Sequence, residues 1–270
     1  MTIKERKVNK LVVILAAGQG SRMKLKKGVS KCSVKINNTD TSVSRLIKQF
    51  YKYGQSKFAV IVGYGKESVI NGVMDSLKSF NKSVSCEFID NPNYNKFGCE
   101  YSLSCLTKSK LLTMKDDLII VEGDLVTTDR NIEEICTCSG THILARSSQF
   151  LSKKSVAISY TNKSTCLEVL RFIYDPYHRI DFSQYTTYLD SMQIWRIKSK
   201  DLSILYHALS QYKSECESGT SENPDASGLL SIGILCKATK MSVVMAPEPG
   251  EWMNLNTQKD IQDFNNKEWS

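Results

Sequence analysis

The stretch Leu11-Val12-Val13-Ile14-Leu15-Ala16-Ala17-Gly18-Gln19-Gly20-Ser21-Arg22-Met23 constrains the fold of this chain more than any other. Its first five residues are apolar and rich in β-branched side chains, the pattern of a strand buried on both faces. Two alanines and two glycines follow, leaving a backbone bare enough for another molecule to approach closely. Arg22 and Lys31 come next, with Lys24, Lys26 and Lys27 between them. A buried strand, a small-residue loop and then cations suit a nucleoside triphosphate. Loop N–H groups point at the phosphates, and Arg or Lys neutralises their charge. Two common phosphate loops fail on spacing. Met23 stands where a dinucleotide fingerprint needs its third glycine, and no Gly-Lys-Ser/Thr is present.

The rest of the first half alternates in the same way. Cys32–Ile36 is expected to form a short strand. Val43, Leu46, Ile47 and Phe50 define a helix face at i, i+3, i+4, i+7, with Thr41 or Ser42 as its cap. Phe58–Val62 is a second buried strand ending at Gly63-Tyr64-Gly65. A helix through Ile70, Val73 and Leu77 leads to a third strand over Val84–Ile89. This βαβαβ order predicts parallel strands with helices on both faces. A fourth strand over Asp117–Val121 ends in Glu122-Gly123-Asp124. In an open α/β sheet, ligands bind beyond the carboxyl ends of the strands, where strand order reverses. The loops at 16–23, 63–65 and 122–126 therefore belong together. Asp124 is a natural Mg²⁺ ligand there, Mg²⁺ preferring one or two carboxylates with phosphate oxygens and water. The competing role is a cap on the following turn.

The middle of the chain changes character. Short helices are expected near Tyr101 and over 129–137. Strands near 141–146, 155–160, 166–173 and 186–195 have no long helices between them, which predicts an antiparallel region inserted at about 140–197. Leu202, Leu205, Tyr206 and Leu209 mark another amphipathic helix. Residues 215–227 are polar and suited to a lid. A helix near 226–238 and a strand over Met241–Met245 follow. Thr257-x-x-Asp260 is a capping-box variant that opens a last helix. Neither repeats nor low-complexity linkers divide the chain. The expected organisation is a polar lead-in over 1–10 and one domain over 11–270.

Among the 270 residues, 36 are Lys or Arg and 28 are Asp or Glu, a net charge of +8 that suits an anionic ligand. The lysines are mostly scattered, so a nucleic-acid partner is not expected. Nine cysteines include no Cys-x-x-Cys, and Cys136-x-Cys138 has no second pair to complete a zinc site. His142, His178 and His207 are isolated. No apolar run approaches the ~20 residues of a membrane span, and no signal-peptide core precedes the first strand. A reduced, cytoplasmic setting is expected.

The form Leu15-Ala16-Ala17-Gly18-x-Gly20-Ser21-Arg22-Met23, with Lys31 nine residues after the arginine, resembles the signature of nucleotidyltransferases that join a nucleoside triphosphate to a phosphorylated small molecule. Val121-Glu122-Gly123-Asp124 looks like that family's metal-aspartate motif. Trp252-Met253-Asn254-Leu255-Asn256-Thr257-x-x-Asp260 looks like its closing strand-to-helix motif. The family often carries a second metal-binding Asp at the position of Asn256, whose amide oxygen can coordinate without charge. Ser30 stands where the family usually has proline. Asn91-Pro92-x-Tyr94 with Tyr101-Ser102-Leu103 is similar to a loop of cytidylyltransferases acting on phosphocholine and small phosphonates. Gly98-Cys99-Glu100 departs from their Asn-Asn-aromatic.

The resemblance implies an α/β fold of the nucleotide-diphospho-sugar transferase type. This is a Rossmann-like, mainly parallel open sheet with an antiparallel extension. It implies Mg²⁺, CTP and a small phosphate or phosphonate acceptor, with release of pyrophosphate. Lys31 and Arg22 take the catalytic roles. Leu15, Ala16, Ala17, Gly18, Gln19, Gly20, Ser21, Arg22, Lys31, Tyr64 and Ser102 contact the nucleotide. Glu100, Tyr101 and Trp195 face the acceptor, and Asp124 and Asn256 hold the metal. A carboxylate at Glu100 suits a primary ammonium that donates charge-assisted hydrogen bonds, so aminoethylphosphonate is expected over phosphocholine. A phosphate acceptor is already ionised near neutrality, its second pKa being ~6. The absence of a Ser-His-Asp or Cys-His set is then expected. Two alternatives stand beside this reading. One is a sugar-1-phosphate nucleotidyltransferase using UTP, dTTP or GTP, the other a nucleotide-binding relative without activity.

Overall fold

Strands β1 (Lys10–Ala16), β2 (Lys57–Val62), β3 (Ser85–Asp90) and β4 (Asp117–Glu122) lie parallel in the order β3-β2-β1-β4. The computed structural model describes residues 10–78, 84–152, 155–175, 180–181, 188–226 and 230–267. Residues 1–9 of the lead-in lie outside them, as do 186–187 of the expected strand at 186–195 and 227–229 of the expected helix at 226–238. Each β1 residue from Leu11 to Ile14 is fully buried, which fits its unbroken apolar run. Leu11 and Val13 face a core shared with α5 (Leu202–Ser218) and α6 (Leu230–Ala238). Val12 and Ile14 face α1 (Ser42–Lys52), α2 (Lys66–Leu77) and α4 (Asp129–Thr137). Each such side chain contributes roughly 1.5–3 kcal/mol by burial.

The second half extends the sheet. β9 (Tyr188–Ile197) runs antiparallel between β4 and β6 (His142–Arg146). β10 (Ser242–Met245) is parallel to β6, and β8 (Leu167–Ile173) is antiparallel to β10. β7 (Ala157–Asn162) pairs with β8 and touches the start of β9. This part of the sheet combines antiparallel pairs with the parallel β6–β10 pair. A separate pair, β5 (Leu125–Thr127) with β11 (Trp252–Asn254), precedes α7 (Gln258–Asn266).

Both expected caps form. The Ser44 N–H donates to Thr41 Oγ1 at 3.1 Å and the Thr41 N–H to Ser44 Oγ at 2.9 Å, opening α1. Thr257 and Asp260 do the same for α7. Each cap contributes about 1 kcal/mol.

Two expectations are corrected. Residues 32–36 are not a strand. Lys31–Ser33 is a 3-10 turn, and Lys35 makes one isolated bridge to Thr41. Ser30 Oγ accepts from the Cys32 N–H, and Ser33 Oγ donates to the Ser30 carbonyl, so side chains satisfy the backbone locally in place of a ladder. Residues 215–218 are also not loop, because α5 continues to Ser218 and ends on Gly219 at φ 76. The following segment is tethered. The Gly98 N–H donates to the Pro224 carbonyl at 2.9 Å and the Glu100 N–H to that of Ala226 at 3.0 Å.

Among the described residues no helix is long and apolar enough to cross a membrane. All nine cysteines are free.

Candidate active site

The strand order reverses between β1 and β4, whose carboxyl ends carry the glycine loop and Asp124. The Gly123 N–H donates to the Leu15 carbonyl at 2.8 Å and so joins the two ends. α1 fastens them from below, Ser42 Oγ donating to the Gly123 carbonyl at 2.6 Å.

The lysine-bearing segment is pinned on its far side. Gly65, at φ 61, lets the backbone of 28–30 pack directly on the turn before α2. The Gly28 N–H donates to the Tyr64 hydroxyl and the Ser30 N–H to Ser68 Oγ. That second bond is one proline could not make, so the departure at Ser30 has a structural use.

Lys31 then reaches across the switch point. Its ammonium donates to Asp124 Oδ2 and, at 3.1 Å, to Asn256 Oδ1. Arg22 donates to the same Asn256 oxygen at 2.9 Å. Asn256 is placed by the β5–β11 ladder and by the Leu255 N–H, which donates to the Asp124 carbonyl at 2.9 Å. Asp260 accepts from the N–H groups of Asn256 and Thr257 at 2.7 Å each. Burial alone would lower the Lys31 pKa. The Asp124 carboxylate more than offsets this and raises it, so the ammonium stays charged.

A cavity of about 360 Å³ opens over this cluster, with Leu15, Gly18, Arg22, Lys31, Asp124 and Asn256 in its wall. Trp195, Gln193, Asn254, Glu122 and Tyr174 line it too. Glu122 precedes Asp124 by two residues. Desolvation, and then the charge of Asp124, push its carboxyl up to about 7. Gln193 sits on a bulge. Trp195 pairs with Ile143 and Ser191 with Ala145, so β9 carries two extra residues opposite β6. Gln193 has φ 57 at the crown of that bulge, a strained conformation for a residue with a side chain.

The expected site residues therefore divide. Leu15, Gly18, Arg22, Lys31, Trp195, Asp124 and Asn256 share the cavity. Gln19, Gly20 and Ser21 form the adjoining loop, with Gly20 and Lys24 left-handed. Ala16 ends the strand, Ala17 follows it, and both are buried. Tyr64 and Ser102 serve as tethers, Ser102 accepting from the Asn91 amide at 2.9 Å.

Glu100 and Tyr101 are corrections. Glu100, on α3 (Cys99–Ser104), is fully buried and accepts from the N–H groups of Leu230 and Ser231 at 3.2 and 3.0 Å. It caps α6 and meets neither acceptor nor solvent. Tyr101 is also fully buried. Its hydroxyl accepts from Asn93 and donates to Glu217. The amine preference expected from Glu100 loses its basis.

Glu122, Gln193, Asn254 and Tyr174 were missing from the expected site. Position within the Glu-Gly-Asp run could have flagged Glu122. Asn254 lies in the closing motif. Nothing local marks Gln193 or Tyr174, because a bulge depends on the partner strand.

The donor set fits a divalent cation. Asp124 and Asn256 offer hard oxygens that already converge on one cation, the Lys31 ammonium. Among the described residues no three His, Cys, Asp or Glu side chains form a metal group. Asp124 and Asn256 would hold Mg²⁺ with the balance of its ligands from phosphate and water.

Known structures share this architecture. CTP:phosphocholine cytidylyltransferase from Streptococcus pneumoniae superposes with a TM-score of 0.67 at 15% identity, covering 96% of this chain and 99% of that one. The inositol-1-phosphate CTP transferase from T. maritima gives 0.67 at 14%, covering 97% of each. A UDP-glucose pyrophosphorylase complexed with UDP-glucose gives 0.72 at 10%, covering 96% and 97%. At these identities the likeness establishes the nucleotide-diphospho-sugar transferase-like fold. No curated protein matches the sequence. A family model does, over residues 27–268, and the chain belongs to that family, described as Domain of unknown function (DUF6564).

Proposed function

We propose that this protein transfers a nucleotidyl group from a nucleoside triphosphate, CTP, to a small phosphate or phosphonate acceptor, with Mg²⁺, releasing pyrophosphate. The observation that carries this reading is the convergence of Arg22, Lys31, Asp124 and Asn256 beside the glycine loop at the sheet's switch point. CTP is favoured by the sequence similarity around Asn91-Pro92 and Tyr101-Ser102-Leu103.

The chemistry asked of the residues is modest. The acceptor oxygen is ionised near neutral pH, so no base need remove a proton. What remains is to hold two anions in line and stabilise charge on the α-phosphoryl group. The loop N–H groups and Arg22 bind the triphosphate, and Lys31 stands at the α-phosphate. Mg²⁺, when bound, neutralises phosphate charge. The scale of one preorganised contact of this type is ~10²–10³ in rate.

Pyrophosphate release with CTP, UTP, dTTP and GTP, each against phosphocholine, aminoethylphosphonate, glycerol phosphate and sugar phosphates, tests the proposal. Release dependent on Mg²⁺, highest with CTP, is expected. Triphosphate binding with no release across the panel would overturn it in favour of a binding protein.

A further inference from the structure

β11 carries Asn256 into the cluster, yet it is a slight element. It has three residues, and among the described residues its one ladder is with the equally short β5. A lone pair of strands is marginal by itself. The β9 bulge supplies a second support. The Met192 carbonyl accepts from the Trp252 indole at 2.7 Å, and Gln193 Oε1 accepts from the Asn254 amide at 3.0 Å. Trp252 and Asn254 alternate along β11, so two consecutive bulge residues hold one face of it. Met192 and Gln193 are available for this because neither pairs with a strand among the described residues. The bulge satisfies its own backbone, the Gln193 N–H donating to Ser191 Oγ at 3.1 Å. Gln193 holds its place at φ 57 although it carries a side chain. Strain of that kind persists only where the surroundings over-determine it, and it clusters at functional sites. Glycine would relieve the strain, but it would also remove Oε1.

We infer that Gln193 is a positioning residue, whose side chain fixes β11 and through it the Asn256 oxygen of the triphosphate and metal site. The inference rests on the nucleotidyl-transfer reading, which gives Asn256 that role, and adds a residue to it. The path is short. Asn254 lies opposite Leu125, the residue after Asp124, in the β5–β11 ladder. The Leu255 N–H donates to the Asp124 carbonyl at 2.9 Å. Asn256 Oδ1 accepts from Arg22 and Lys31. A shift of Asn254 therefore moves the two candidate metal ligands relative to each other and to both cations. Partners that orient a metal ligand are typically worth about 10–100-fold in metal affinity or activity.

Two variants separate the side chain from the backbone. Gln193→Ala and Gln193→Gly both remove Oε1, and only glycine relieves the left-handed backbone. The glycine variant is therefore expected to unfold at higher urea than the alanine variant. Calorimetry of Mg²⁺ binding to the enzyme–CTP complex is expected to show both weakened by about tenfold or more, and equally within about twofold. Adding Asn254→Ala to Gln193→Ala is expected to cause no further loss, as for two residues that act through one contact. An affinity unmoved in either variant, or losses that multiply in the double variant, overturns the inference. A loss confined to the less stable alanine variant would mark a role in folding alone. Failure of the wild type to bind CTP with Mg²⁺ counts against the nucleotidyl-transfer reading instead, and hydrogen exchange of the free enzyme then decides this one. Faster exchange at the Leu255 N–H in both variants, with β1 and β4 unchanged, supports it. Exchange at Leu255 unmoved in either variant overturns it.

Discussion

Gly20 and Lys31 compete for one space. A Cβ at position 20 would lie 2.8 Å from the Lys31 Cβ and 2.9 Å from its Cγ. The glycine, at φ 61, is what allows the lysine stem to lie against the loop and deliver its ammonium to Asp124. The loop's bareness therefore has two consequences, one for a phosphate and one for the side chain that meets it.

Gly20→Ala should accordingly act on both catalysis and folding. The added methyl meets the base of the Lys31 side chain, its Cβ and Cγ, which moves only with the backbone, and the left-handed backbone costs an alanine about 1 kcal/mol or more. Displacing Lys31 should lower kcat by about tenfold or more, since misplacement of one group costs up to ~10²-fold. Steady-state kinetics and a urea melt check both. A variant with unchanged kcat would show that the lysine can reach the site by another path.

Lys31→Ala should lower turnover by ~10²-fold or more. The same change removes the ammonium from Asp124 and should strengthen divalent binding to the enzyme–triphosphate complex, because both cations use that carboxylate. Asn256→Asp should also tighten binding by adding charge, and Asp124→Ala should abolish metal-dependent turnover. Steady-state kinetics reads the two losses of turnover, and calorimetric Mg²⁺ titration reads the two changes in affinity. An Asn256→Asp protein with unaltered affinity removes residue 256 from the metal site.

Glu100 offers a pH test. Burial raises its pKa above 4.5 despite the N–H groups of Ser231 and Leu230, which pull the other way. Between the unfolded and folded pKa values the native state holds more protons, so stability falls as pH rises. Glu100→Gln lacks this dependence yet can still accept both hydrogen bonds. The wild type should lose stability relative to the variant as pH rises through the range above about 4.5. Denaturation midpoints at acid and neutral pH would show it, and a constant difference would count against it.

Asp117 works in the opposite sense. It is fully buried, and hydrogen bonds from Lys198, Arg196 and the Ser199 N–H hold its carboxyl low against the effect of burial. Its contribution is present above the ordinary carboxylate range and is lost as pH falls through the depressed folded value. Asp117→Asn leaves Arg196 buried without its countercharge and should cost about 3–5 kcal/mol. Chemical denaturation at pH 7 measures it.

Periodicity within single segments made much of this protein legible. The unbroken apolar run of β1, the i, i+3, i+4, i+7 face of α1, the helix over 129–137 and the caps at Thr41 and Thr257 each rest on residues close in the chain. Backbone propensity and burial act at that range. That the glycine loop and Asp124 lie together was also readable, because strand order brings the ends of β1 and β4 together, whereas Lys31 and Asn256 were joined to them by the family resemblance.

Other features depended on partners remote in the chain. Glu100 looked like a ligand until its carboxylate was found on Leu230 and Ser231, about 130 positions away. Residues 32–36 have a strand's composition, yet among the described residues they pair only at the single bridge of Lys35 to Thr41. Gln193 is distinguished only by two extra residues opposite β6, which no property of β9 alone records. Trp195 has an N–H without a partner among the described residues because of what surrounds it. Apolar patterning specifies which face of an element turns inward. A polar side chain's partner is set by the directional hydrogen bonds available once distant elements have docked, and those exist only in the assembled fold.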